Sequence, residues 1–227
     1  MAIGIEHFSK VHLLSILQQN NIDPYDVVED YMNQLDGPNF KQLTDDLWKN
    51  SGSLYCGNLY DKYIKDKNKR CPVWALLEMI SFGQYLYFYK YCADLLQNTE
   101  ITERLYLMYT VKSLRNACAH NNCIINDINS THNKRINADL SRECAKFIKS
   151  PSSRRRHLGH ISTYQILTTM YAHQRICIST GVHQHICGEL DELKQRFFRD
   201  NDYKLHDNIK ATFDVFIRAI DTWFHIM

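Results

Sequence analysis

The 227-residue sequence predicts an all-α fold, a multi-helix bundle. Three observations carry that expectation. Only four prolines occur, and long stretches lack both proline and glycine, so few helix breakers are present. Apolar residues recur at three- and four-residue spacings, as one face of a helix requires. No segment alternates apolar and polar residues between hairpin-type turns. The organisation expected is a single all-α domain over 1–227, with residues 1–58 as an N-terminal helical extension and 70–227 as the core.

Element by element, Val11, Leu14, Ile16 and Leu17 mark a first helix that stops at Asn20–Asn21. Asp23–Pro24 then offers a capping carboxylate followed by a proline at the first helical position. The helix it starts carries Tyr25, Val28, Tyr31, Met32 and Leu35 and stops at Gly37–Pro38. A short helix over 39–50 follows. Residues 51–72 hold Ser51–Gly52–Ser53, Cys56–Gly57 and the charged run from Lys62 to Arg70, and read as a linker. Pro72 opens the strongest helix, expected to run unbroken to about Gln97, with apolar residues nearly all round as in a buried central helix. Thr102 is expected to cap the next, whose core stripe is Leu107, Val111, Leu114 and Cys118. Residues 122–138 read as an Asn-rich loop, 139–149 as a helix, and 151–160 as a basic turn. Helices over about 161–179, 182–199 and 207–226 complete the bundle.

Bulk properties narrow the class. Hydrophobic residues make up 44% and charged residues 23% of the chain, with fourteen tyrosines and ten phenylalanines. That is globular rather than disordered composition. The formal net charge of +2 is too small to demand a nucleic-acid partner. Its distribution is uneven: residues 1–120 carry twelve Lys and Arg against fourteen Asp and Glu, and the basic excess concentrates in 134–156. The eight cysteines form no CxxC pair, which fits reduced thiols in a cytoplasmic protein. No signal peptide is expected at the N-terminus, and no run of roughly 18 apolar residues predicts a membrane span.

The candidate chemistry lies in Arg115–Asn116–Ala117–Cys118–Ala119–His120, at the end of a core helix. At about 100° per residue, positions five apart diverge by roughly 140°, so Arg115 and His120 do not share a face. Asn116 and His120, four apart, do. His120 sits where the carbonyl end of the helix favours an imidazolium. The three polar groups are expected to converge beyond the terminus. The trio suits cleavage of RNA without a metal, since RNA carries its own 2′-hydroxyl nucleophile. His120 would move the proton, Arg115 would stabilise the phosphorane and Asn116 would orient the others. The products would be a 2′,3′-cyclic phosphate and a 5′-hydroxyl.

Leu114–Arg115–Asn116, then Cys118–Ala119–His120, followed by Asn122 and Asn126, resembles the Abi family of bacterial abortive-infection proteins, within the HEPN ribonuclease superfamily. Upstream, Pro72–Val73–Trp74 through Glu78 to Ser81–Phe82–Gly83 resembles that family's Pro-x-Trp…Glu…Ser-Phe-Gly helix. The resemblance covers roughly residues 70–127; residues 1–70 lie outside it, and position 121 is Asn where the family pattern has a second His. It implies a HEPN-type core over 70–227, endoribonuclease activity, and a role as toxin or phage-defence effector. It also implies a homodimer, because two such motifs usually meet across an interface, and in some members control by a small antitoxin RNA. No cofactor, metal, membrane or DNA partner is expected.

Further candidates follow. Glu78 lies among apolar neighbours on a helix read as buried, where a carboxylate needs a partner; Arg115 is the candidate. Lys134, Arg135, Lys149, Arg154, Arg155 and Arg156 could track an RNA backbone, with Asn122 and Asn126 beside them. His183–x–His185–x–Cys187 does not suit a metal, because residues two apart on a helix point about 200° apart. His157, His160 and His173 read as surface or packing residues. Two alternatives stay open. One is a catalytically idle HEPN module that binds RNA or a protein. The other is a HEPN toxin silenced by adenylylation of a Tyr two residues past the motif His, a position that here is Asn122.

Overall fold

A computed structural model describes residues 1–66, 69–126, 128–132, 135–197, 199, 203 and 206–225. Among them are twelve α-helices and no strand, apart from one isolated bridge between Thr131 and His160. The all-α expectation therefore holds. No helix among the described residues is long and apolar enough to cross a membrane. The chain divides into two units, one of residues 6–106 and one of residues 1–5 with 107–227.

The first unit contains most of α1 (Ala2–Gln19), then α2 (Asp26–Gln34), α3 (Gly37–Asn50), α4 (Leu54–Tyr63), α5 (Val73–Met79), α6 (Phe82–Leu96) and the first turns of α7 (Thr99–Ala119). Start signals are local chemistry. The Asp23 carboxylate accepts from the Tyr25 and Asp26 amides at 2.8 and 2.9 Å, as expected of the Asp–Pro start. Asp36 caps α3 and Ser53 caps α4 in the same way. Helix α7 begins four residues earlier than read, because Asn98 rather than Thr102 supplies the cap, its Oδ1 accepting from the Ile101 amide at 3.0 Å. The core is aromatic: Tyr85, Phe88 and Tyr89 are fully buried, and Phe88 meets Tyr31 edge-to-face at 5.1 Å between centroids.

Two readings of this unit need correction. Residues 51–72 are not a linker. They contain α4, and Gly57 sits inside that helix because a Cβ there would lie 2.8 Å from the Ser51 carbonyl oxygen. Beyond α4, Arg70 pairs with Asp26 and with Glu29 at 3.0 Å, fastening the charged run to α2.

The helix expected over 72–97 is two helices. Ile80 is extended, and its neighbours' freed backbone groups go to α3: Asn50 Nδ2 donates to the Met79 carbonyl at 2.8 Å, and the Ser81 amide donates to Asp46 at 2.7 Å. Ser81 then caps α6, accepting from the Gln84 amide. A break inside an apolar stretch is tolerated because the Met79 carbonyl and the Ser81 amide have found partners.

The second unit holds the last turns of α7 with α8 (Ala138–Cys144), α9 (Pro151–Gly159), α10 (Ile161–Ile176), α11 (Thr180–Phe197) and α12 (Asp207–Trp223). Helix α10 is its centre. Leu167, Thr168, Ala172 and His173 are all fully buried, and α8, α9 and α12 pack on it. Helix α12 presents Phe213, Phe216, Ile220 and Trp223 as a single buried stripe. The basic stretch read as a turn is α9, started by Ser150, whose hydroxyl accepts from the Ser153 amide, and by Pro151.

Candidate active site at the end of α7

The stripe expected on α7 is three-quarters right. Leu107, Val111 and Leu114 are buried, whereas Cys118 is exposed. The helix leaves the core in its last turn, and the polar motif occupies that exit. Its termination is a Schellman motif. Asn121 adopts the left-handed conformation with φ 53°. The Asn121 amide donates to the Cys118 carbonyl at 3.0 Å, and the Asn122 amide to the Ala117 carbonyl at 2.9 Å. The Asn at position 121 thus has a physical role: asparagine tolerates positive φ better than most side chains.

This cap fixes the motif residues. His120 is the last residue of the helical path, its amide donating to the Asn116 carbonyl at 3.0 Å. The imidazole of His120 is exposed and makes no side-chain hydrogen bond among the described residues. Arg115 is half-buried, and its Nη1 donates to Asn116 Oδ1 at 3.3 Å. Among the described residues no carboxylate of its own unit pairs with it. The structure therefore joins Arg115 to Asn116 and leaves His120 one turn on, free at the helix end. Asn122 and Asn126 are exposed; both serve the backbone turn, Asn126 through its amide to the Cys123 carbonyl at 3.0 Å.

Glu78 is exposed on α5 rather than buried. The premise that it needs a partner in an apolar interior fails, because solvent satisfies it. Its helix faces outward there, as the 42% exposure of Trp74, one turn earlier, also shows.

The basic stretch separates into distinct groups. Lys134 lies outside the described residues. Arg154 is half-buried and spent on structure: its Nη1 donates to the Ile148 carbonyl at 2.8 Å and to the Lys149 carbonyl at 3.5 Å, and its Nε to Ser141 Oγ at 3.4 Å. Arg142 pairs with Asp139, and Lys146 with Glu143 at 2.6 Å. Arg135, Lys149, Arg155 and Arg156 are exposed, with no ion pair among the described residues.

The histidines elsewhere differ in setting. His173 is fully buried on α10 between His183 and Phe224, with ring centroids 6.0 and 5.7 Å away. Burial pushes it down to about 4, so it is neutral at pH 7. His183, His185 and Cys187 diverge: His183 stacks on Phe224, His185 is exposed 3.4 Å from Glu189, and Cys187 is buried.

Sequence reasoning missed one feature. Residues 114, 115, 118 and 119 of α7 line a cavity of about 890 Å³, lying within the second unit and walled by α10, α11 and α12. The stripe on α12 was the available signal, since Phe213 and Phe216 form part of the wall.

A family model described as Abi-like protein matches residues 3–126, from the start of α1 to just beyond the motif. The chain belongs to the Abi-like protein family. That membership associates this Abi-like chain with abortive infection, a form of phage defence. The match begins at residue 3, so the first 70 residues, which lie outside the motif resemblance, belong to the family region too. Both sequence blocks, around Trp74 and around Arg115, fall inside it, whereas α8 to α12 fall outside. No curated protein and no solved structure matches the chain.

Proposed function

We propose that this Abi-like chain is a metal-independent endoribonuclease of the HEPN type, acting as a toxin or phage-defence effector in the cytoplasm. The observation that carries the reading is the end of α7. An Arg115–Asn116 pair sits one turn before a solvent-facing, uncommitted His120, in a helix end whose termination fixes all three.

The chemistry follows from the residue types. The 2′-hydroxyl of the RNA attacks the adjacent phosphorus, losing its proton to an imidazole. The phosphorane formed is dianionic, and the Arg115 guanidinium meets it with parallel donors. The bond to the 5′-oxygen breaks as that oxygen takes a proton, leaving a 2′,3′-cyclic phosphate and a 5′-hydroxyl. One chain offers one such histidine for two proton transfers. A homodimer that brings two copies of the motif together would supply both. Arg135, Lys149, Arg155 and Arg156 would hold the RNA backbone. A small antitoxin RNA could occupy the same groups and restrain the enzyme.

The test is cleavage of total RNA by wild type and by His120→Ala protein in the presence of a chelator. Wild type should yield cyclic-phosphate ends and the variant none. Binding without cutting by wild type would instead favour a catalytically idle RNA-binding module, and 3′-hydroxyl products would overturn the mechanism.

A further inference from the structure

We infer that the cavity beside α7 binds a single-chain amphipathic carboxylate, with its acyl tail among the apolar walls and its carboxylate on Arg115. The volume of about 890 Å³ lies near the top of the usual small-molecule range. Its walls are dominated by aliphatic and aromatic side chains, including Ile166, Met170, Leu190, Phe213 and Phe216. A buried nucleobase would need several hydrogen-bond partners round its edge, whereas the described lining is mainly apolar, with Arg115, Arg196, Thr169 and Tyr203 its few hydrogen-bonding side chains; an acyl chain needs none along its length.

Charge selects the head group. Among the described lining residues the only charged side chains are Arg115 and Arg196, both cationic, and no Asp or Glu lines the cavity. Arg196 is exposed and shared with Glu192 at 3.4 Å. Arg115 is half-buried, and among the described residues its one hydrogen bond is the long one to a neutral amide oxygen, 3.3 Å from Asn116 Oδ1. A guanidinium has five N–H donors in a fork that matches a carboxylate, so most of its capacity is unspent. An apolar chamber whose charged groups are all cations fits an anion carried on a hydrocarbon tail.

The consequence for activity, unlike the binding itself, rests on the ribonuclease reading. A carboxylate on Arg115 would occupy the group that meets the phosphorane, so the ligand would inhibit RNA cleavage.

Titration of the full chain with sodium dodecanoate below its micellar concentration, followed by calorimetry, tests this. One saturable site per chain is expected, with dodecylamine and dodecanol at least tenfold weaker. Ile166→Trp, which fills the cavity from α10, should abolish binding while leaving RNA cleavage intact. If that variant does not fold, Arg115→Gln should weaken dodecanoate binding at least tenfold without changing the weak binding of dodecanol. Absence of saturable binding, or equal binding of dodecylamine, would overturn the proposal, as would self-association that closes the cavity to dodecanoate. Saturable dodecanoate binding by a chain that cuts no RNA would support the site and remove only its link to cleavage.

Discussion

The three consecutive arginines of α9 should separate into one structural and two RNA-facing residues. Arg154 donates from one nitrogen to the Ile148 carbonyl at 2.8 Å, and makes two longer contacts at 3.4 and 3.5 Å. A hydrogen bond to a charged group contributes about 1.5–3 kcal/mol, and the longer contacts add little. Partial exposure puts Arg154→Ala near the lower half, about 2 kcal/mol. For a chain of this size that corresponds to a melting point lower by roughly 4–8 °C. Arg155 and Arg156 are exposed and make no ion pair among the described residues, so their double alanine variant should change stability by less than about 0.5 kcal/mol. If each meets one phosphate of single-stranded RNA, the slope of log affinity against log salt should flatten by about 1.4. Thermal melting and RNA binding at several salt concentrations measure both. An Arg154→Ala protein that melts normally yet loses RNA affinity would refute the division, as would an unchanged salt slope in the double variant.

Four other outcomes are expected. His173 is held at about 4 against an ordinary 6.5, so the unfolded state binds its proton first as pH falls; stability should drop by about 2 kcal/mol between pH 7 and pH 5, and urea unfolding of His173→Leu protein should show a shallower acid loss. Asn121→Val should lower stability by about 1–2 kcal/mol, because a β-branched residue is strained at φ 53°, whereas Asn121→Gly should melt within a degree or two of wild type. Glu78→Gln should leave the melting point unchanged to within about 0.5 kcal/mol, since the carboxylate is exposed; a loss of several degrees would restore a buried role. Mixing wild type with an equal amount of His120→Ala protein and letting subunits exchange should leave about a quarter of the RNA cleavage of the same total of wild type if each site needs a His120 from both copies, and about half if each chain cuts alone.

Where a helix begins was largely legible, because capping is short-range. Asp23 acts on amides two and three residues away, and the Asn121–Asn122 stop closes bonds within five residues. What the sequence hid was tertiary. The Ile80 break depends on Asn50 and Asp46, about thirty residues upstream, taking up the Met79 carbonyl and Ser81 amide. Apolar periodicity runs through such a break unchanged, so the Ser81 cap was the only local sign of it. Helix α4 was masked by Gly52 and Gly57, which composition alone marks as loop, although Gly57 serves close packing against Ser51. The fate of Arg154 was hidden too, because a run of like charges gives no sign of which member turns inward.

The candidate site shows the same division between local and long-range. The five-residue spacing implies that Arg115 and His120 diverge, and the structure gives the divergence a direction on each side. Arg115 turns toward an apolar cavity and takes Asn116 with it; His120 stands in solvent. A half-buried guanidinium beside apolar walls is poorly screened, which strengthens its hold on an arriving phosphate and equally on any other anion that fits. On the ribonuclease proposal, the exposed imidazole would stay open to an arriving substrate. The two halves of the motif thus suit their different tasks, a fixed positive charge and a mobile proton. Arg115 lines the cavity, so on the ribonuclease proposal occupancy of the cavity would restrain cleavage at α7 without touching His120.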